Sequence, residues 1–315
     1  MNTPLPAELG AGRRHPAEND LARLGRVARN ARVYLAVTDP KSVSLLLFTT
    51  VAAGIVAGGL RAPAHLVQVA LALGLSCMGA RAVANYADRD IDRLMARTRR
   101  RPVPSGAIPA RHALYLGMAL ILAGVAVAVP FGPLVVLLIA AGLADNLLVY
   151  SRLTKRSTPL SIVLGAPSGG TPALVGYVAI AGGIDLTALL LAALVMVWTP
   201  IHIWSLAIRY RDDYARANVP MLPVVIGVTR SARYVGYASI GLGSWSLLYL
   251  LAASSRIAAP VSLGVIGLAV ALIVASLWLV RKPTGEHAWQ LFKLTSPYLA
   301  LVYALLAVNA LMLAS

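Results

Sequence analysis

Three of the chain's 12 acidic residues fall within five positions, at Asp88, Asp90 and Asp92. They lie in the run Asn85-Tyr86-Ala87-Asp88-Arg89-Asp90-Ile91-Asp92, which follows an apolar stretch and leads into Arg97, Arg99, Arg100 and Arg101. Carboxylates gathered at the end of a hydrophobic helix imply a cation, and the arginines after them imply an anion. A metal-bound diphosphate satisfies both. If the helix continues through the motif, Arg81, Asn85, Asp88 and Asp92 are spaced i, i+4, i+7 and i+11 and share one stripe. Asp90 then points nearly the opposite way, toward Arg89 or Arg93. Asp88 and Asp92, one turn apart, can converge on a hard cation. Mg²⁺ suits this set, because it takes one or two carboxylates together with phosphate oxygens and water. The competing reading is a helix-end cluster of salt bridges with the neighbouring arginines. Carboxylates in or beside a membrane span are costly and usually functional, which favours the metal.

A second cluster closes another apolar run, from His202 through Arg209 to Asp212, Asp213 and Tyr214. If the two helices face each other, Asp213 adds a third carboxylate, and one diphosphate can bridge metal ions held by both clusters. The alternative is a surface pairing of Asp213 with Arg209 or Arg216. Between the clusters lies Tyr150-Ser151-Arg152-Leu153-Thr154-Lys155-Arg156. Lys155 and Arg156 could neutralise a departing diphosphate, with Tyr150 donating from the end of its helix. Arg97 and Arg101 are candidates for the same work, although loop charge alone would explain all four cations. His202, close to Pro200, is the histidine well inside an apolar run. It stands either at a pocket wall or as a core histidine bonded to a neighbouring helix. Gly165-Ala166-Pro167-Ser168-Gly169-Gly170-Thr171-Pro172 reads as an interrupted or closely packed helix lining a cavity. No Ser/His/Asp set or Walker-type phosphate loop stands out.

The elements that must hold these residues follow from composition. The chain is 58% hydrophobic and 13% charged, with a mean hydropathy of +0.75. Its apolar runs approach the ~20 residues a helix needs to cross a bilayer, and they lack the alternation of barrel strands. Helices are therefore expected, since lipid offers the backbone no hydrogen bonds. Nine spans are expected near 42–60, 65–88, 110–129, 132–150, 160–180, 186–208, 231–253, 260–280 and 295–314. Basic residues crowd alternate connections, from Arg93–Arg111 to Arg281, Lys282 and Lys293, while the others hold Arg61 and Arg256. By the positive-inside rule the N-terminus is cytoplasmic and the C-terminus outside. The net charge of +16 is then loop charge facing anionic lipid, with no nucleic acid implied. Residues 1–36 look like a partly disordered cytoplasmic extension. The long connections 89–109 and 209–230 read as ordered caps over the span ends. Cys77 is the single cysteine, which excludes an intrachain disulfide.

Over about residues 34–310 these motifs resemble the UbiA-type intramembrane prenyltransferases. The first acidic motif, followed by Arg97-Thr98-Arg99-Arg100-Arg101-Pro102, carries the resemblance. The chain looks most like the branch that farnesylates protoheme IX, on Trp198-Thr199-Pro200-Ile201-His202-Ile203-Trp204, on Asp213-Tyr214, and on Pro220-Met221-Leu222-Pro223-Val224-Val225. Lys155-Arg156-Ser157-Thr158-Pro159 is a shorter echo. Two departures stand out. Ala84 replaces the first of two consecutive asparagines, and the family's Thr-Lys-Pro is Thr38-Asp39-Pro40-Lys41 here, which moves a cation by two positions.

The resemblance implies an all-α polytopic fold, with nine transmembrane helices over residues 37–315 enclosing a cavity that opens to lipid. It implies farnesyl diphosphate and heme b as substrates and Mg²⁺ as cofactor, with heme A synthase or terminal oxidase assembly proteins as partners. The farnesyl group would pass to a vinyl group of heme b, giving heme O and diphosphate. Asp88, Asp92 and Asp213 would bind metal. Lys155, Arg156, Arg97, Arg101, Tyr150 and Asn85 would serve the diphosphate, and His202 would face the acceptor. The alternatives are prenylation of an aromatic ring such as 4-hydroxybenzoate, and a secondary transporter. A transporter would place paired polar residues near the bilayer midplane, whereas most acids here sit at span ends.

Overall fold

The computed structural model describes residues 31–253 and 257–314. Nearly all of the expected N-terminal extension lies outside the described residues, as does Arg256. Every regular element among the described residues is a helix. The chain enters through α1 (Ala31–Thr38), which meets α2 (Pro40–Val56) at 53°. The bend has two causes. Pro40 brings no backbone N–H to the ladder, and Asp39 takes left-handed dihedrals of φ 46 and ψ 61.

The bundle continues through α3 (Pro63–Ala87), a short α4 (Arg89–Leu94), α5 (Ala110–Ala128) and α6 (Pro133–Ala144), which widens into a π-helix over Asp145–Thr154. Next come α7 (Ser161–Leu164), α8 (Ala166–Ala181), α9 (Leu186–Arg209), α10 (Arg211–Arg216) and α11 (Leu222–Val225). The chain ends with α12 (Val228–Ala252), α13 (Ala259–Arg281) and α14 (Gly285–Ala314). Eight helical segments among the described residues are long and apolar enough to cross a bilayer alone, and the bent α1–α2 pair makes a ninth. The chain is a multi-pass membrane protein, and its described residues supply the expected nine spans when α1 and α2 count as one.

Two details differ from the sequence expectation. The motif helix is not continuous: α3 ends at Ala87, Asp88 sits at φ −93 and ψ 3, and α4 restarts at Arg89. The step is small, because the Asp92 N–H still donates to the Asp88 carbonyl at 2.9 Å. The last helix begins at Gly285 rather than near 295, so Lys293 lies within a helix and not in a connection. Hydropathy reports only the apolar part of that helix, and Thr284 caps the polar part by accepting from the His287 N–H. The fifth span is interrupted as expected, at Gly165 between α7 and α8.

Packing relies on small residues, as membrane helices require when water drives no association between them. Gly79 of α3 and Gly117 of α5 meet backbone to backbone. A Cβ on Gly79 would lie 2.6 Å from the Gly117 carbonyl oxygen, and one on Gly117 2.8 Å from that of Gly79. Helix α9 is tied to its neighbours by polar contacts. The Tyr303 hydroxyl donates to the Leu191 carbonyl at 2.7 Å, and Trp245 Nε1 donates to the Leu190 carbonyl at 3.1 Å. The long connections after α3 and α9 form helices and turns over one end of the bundle. They touch through the Arg97 N–H and the Asp213 carboxylate, 3.1 Å apart.

Candidate active-site cavity

Beneath that cap lies a cavity of about 850 Å³. Asp88, Asp92, Asn85, Arg97, Arg101, Tyr150, Lys155 and His202, eight of the ten sequence-based candidates, line it. The other two, Asp213 and Arg156, are not among its lining residues.

Asp88 forms the centre of the polar end. Its Oδ2 lies 2.5 Å from the Lys155 ammonium, and both side chains are nearly buried, at 10% and 12% exposure. Burial alone would lower the Lys155 value, yet its net direction is upward because Tyr150 and Asp88 favour the cation. Asp88 Oδ1 is buried with no hydrogen-bond partner. One turn on, Asp92 Oδ2 lies 3.1 Å from Arg101, and the Asp92 carbonyl accepts from the Thr98 hydroxyl at 3.0 Å. The break at Asp88 thus leaves both carboxylates on the cavity. Asn85 donates to the Val37 carbonyl at 2.7 Å, fastening α3 to the end of α1.

Asp88 and Asp92 share the cavity face as their spacing predicts, but Asp90 finds its partner outside its own helix. Asp90 pairs with Arg156 at 2.6 and 2.8 Å, and with neither Arg89 nor Arg93. That guanidinium holds the Asp90 carboxyl down at about 2, and Asp90 in turn raises the Arg156 value. Arg156 also donates to the Ala87 carbonyl at 3.1 Å, so it clamps the α3–α4 junction from outside the cavity.

Asp213 is 5% exposed, but its oxygens are engaged by the Arg97 N–H and the Arg216 side chain. Burial pushes its carboxyl up, and the backbone N–H groups of Arg97 and Ala96 together with Arg216 outweigh that and hold it low. Among the described residues no three His, Cys, Asp or Glu side chains cluster tightly enough to hold a metal by themselves. The two acidic clusters are therefore joined through the backbone of Arg97. Asp88 and Asp92 still fit a divalent cation that takes its remaining oxygens from a ligand, because Asp88 presents a buried carboxylate oxygen that nothing in the protein satisfies.

The far wall is aromatic. His202 is stacked between Trp198 and Phe292, with ring centroids 4.5 and 4.3 Å away, and its Nδ1 is 3.4 Å from the Ser296 hydroxyl. Trp198 lines the cavity with a buried Nε1–H that has no partner. Trp198 and Arg81, which the sequence places in the two motifs without a binding role, line the cavity too, as do Asp39 and Asn146. For Asn146 a signal existed: Asp145-Asn146 interrupts an apolar span, where polar side chains are expensive. Asp145 accepts from the Ser168 N–H at 2.9 Å and so caps the broken fifth span beside it.

Comparison with known proteins bears on the family and the fold. Residues 45–308 match the model of the UbiA prenyltransferase family. The chain is 41% identical over 292 residues to the protoheme IX farnesyltransferase of Desulforudis audaxviator, covering 89% of this chain and 88% of that one. A solved digeranylgeranylglyceryl phosphate synthase superposes with a TM-score of 0.74 at 17% identity, over 90% of this chain and 99% of its own. A UbiA homolog from Archaeoglobus fulgidus bound to GPP and Mg²⁺ superposes at 0.58 with 16% identity, over 87% and 99%.

Proposed function

Because this chain belongs to the UbiA prenyltransferase family, we propose that its cavity transfers a farnesyl group from farnesyl diphosphate to a vinyl group of heme b. The C–O bond to the diphosphate breaks, a C–C bond forms to the vinyl carbon, and water adds to the resulting cation with loss of a proton. The products are heme O and diphosphate. The observation that carries this reading is the half-satisfied Asp88 carboxylate, buried beside Lys155 at the polar end of a cavity inside a membrane bundle. The name of the relative from Desulforudis audaxviator supports the choice of substrates.

Asp88 and Asp92 would hold a divalent cation, and the Archaeoglobus homolog with GPP and Mg²⁺ supports magnesium. When bound, the ion neutralises charge building on the leaving diphosphate. Lys155, Arg101 and Arg97 add fixed positive charge at the same end, where a water-poor site makes such charge most effective. Asn85 and Tyr150 complete the polar lining. Asp213 acts through Arg97, keeping the cap turn over the diphosphate. Enclosure by the bundle shields the allylic cation from premature water. His202, with Trp198 beside it, faces the flat acceptor. The distribution of basic residues supports an orientation with the cap in the cytoplasm, the N-terminus inside and the C-terminus outside.

The test is an assay of detergent-purified protein with farnesyl diphosphate and Mg²⁺, offered either heme b or 4-hydroxybenzoate. We expect a farnesylated heme identified by mass. Product on the aromatic acid alone would sink the heme reading and leave aromatic prenylation.

A further inference from the structure

Asp39 and Arg81 form an ion pair at the cavity wall. Arg81 lies one turn before Asn85 and seven residues before Asp88 on the same face of α3, and all of them line the cavity. One terminal guanidinium nitrogen is 2.7 Å from Asp39 Oδ2. That oxygen also accepts from the Ser42 hydroxyl at 2.7 Å. The carboxylate is fixed in turn by the bend, where Asp39 holds a left-handed backbone that few residues other than glycine adopt. The Arg81 side chain is 38% exposed, but its Nε is buried with no acceptor, a donor left for a ligand to satisfy. Its counterpart is Asp88 Oδ1, a buried acceptor with no partner on the same helix. Seven residues at ~1.5 Å each put the two about 10 Å apart along the axis, room for a metal ion and both phosphoryl groups.

We infer that Arg81 is a diphosphate-binding residue, gripping the phosphoryl group farther from the cap, with Asp39 as the positioning residue that aims it. The inference rests on the reading of the cavity as a diphosphate site. A planar guanidinium suits the task, because its five donors can hold a carboxylate with one edge and phosphoryl oxygens with another. Metal drawn to Asp88 and Asp92 leaves the other end of the diphosphate facing Arg81.

The experiment is a calorimetric titration of inorganic diphosphate with Mg²⁺ into the detergent-purified full chain. We expect Arg81→Met to weaken binding about tenfold or more, as for loss of a charge-assisted hydrogen bond, and Arg81→Lys to recover most of the loss. The double variant Asp39→Asn with Arg81→Met leaves no orphaned carboxylate. It is expected to keep an unfolding midpoint near that of the wild type and to show the same weakening, with heme b binding unchanged. Wild-type diphosphate affinity in a folded double variant would overturn the inference alone and make the pair purely structural. Weakened heme b binding with diphosphate affinity intact would also overturn it, assigning Arg81 to an acceptor carboxylate. A wild-type protein that binds no diphosphate would overturn the reading of the cavity, and this inference with it.

Discussion

The Lys155 ammonium lies 2.5 Å from one oxygen of Asp88, while the other oxygen of the same carboxylate is buried and unpartnered. The two residues are 67 positions apart and come from different spans. Lys155 stabilises the charge on Asp88 without exhausting its capacity to bind. The site therefore holds one oxygen of the carboxylate in place and keeps the other free for a ligand.

Removing one member of a buried pair leaves the other as an uncompensated charge, which typically costs about 3–5 kcal/mol. Lys155→Met should therefore lower stability by roughly 3 kcal/mol, and adding Asp88→Asn should return most of it. Thermal unfolding of the single and double variants in detergent checks this. A double variant no more stable than Lys155→Met would show that the pair is not the source of the loss.

Asp88→Asn and Asp92→Asn should each cut farnesyl transfer by about a hundredfold or more and raise the Mg²⁺ concentration needed for half-maximal rate. Asp213→Asn should raise KM for farnesyl diphosphate by roughly tenfold with little change in the Mg²⁺ requirement, since the charged contacts that tie it to Arg97 and Arg216 are weakened. Magnesium titrations of initial rate separate the two roles. A Mg²⁺ requirement shifted as far in Asp213→Asn as in Asp88→Asn would restore Asp213 as a direct metal ligand.

His202 is sandwiched by rings on both sides, so His202→Phe preserves the stack and removes only the ring nitrogens. It should raise KM for heme b by about three- to tenfold, the scale of one lost hydrogen bond, and leave KM for farnesyl diphosphate unaltered. Steady-state kinetics with each substrate varied in turn gives the answer. An equal rise in both values would place His202 outside acceptor recognition.

The Asp90–Arg156 clamp sets a pH dependence of stability. Its folded carboxyl value of about 2 lies below the usual carboxylate value of ~4. The clamp therefore contributes fully above about pH 4 and fades as the pH falls toward 2. With Arg156 and Asp90 side chains 41% and 58% exposed, the contribution is only a few tenths of a kcal/mol. Asp90→Asn should unfold slightly earlier than wild type at pH 7, and the difference should vanish near pH 2. Transfer activity should change less than about twofold, because the clamp stands outside the cavity.

Local rules worked where a feature depends on neighbours in sequence. The stripe of Asn85, Asp88 and Asp92 survived the helix break because the Asp92 N–H still reaches the Asp88 carbonyl. The interruption at Gly165 was visible in the run of glycine and proline. Local rules failed where a long-range partner decides. Asp90 turned to Arg156, 66 positions away, rather than to its own helix. Asp213 is engaged by the Arg97 backbone from 116 positions away. Hydropathy also stopped short on the last helix, because Lys293 and its polar neighbours continue an α-helix that need not be apolar outside the bilayer.

The sequence by itself determined that this chain is a multi-pass helical membrane protein with an acidic motif at one span's end. Lipid forces backbone hydrogen bonds to close within each helix, so length and apolarity specify the spans, and a 3.6-residue repeat specifies the stripe. Only the tertiary structure decided which charges neutralise one another and which remain free to bind. Lys155 takes half of Asp88, Arg156 takes Asp90, Asp213 holds the cap and Asp39 turns toward Arg81. Pairing of charges depends on distance in space and on burial, and neither is encoded in spacing along the chain.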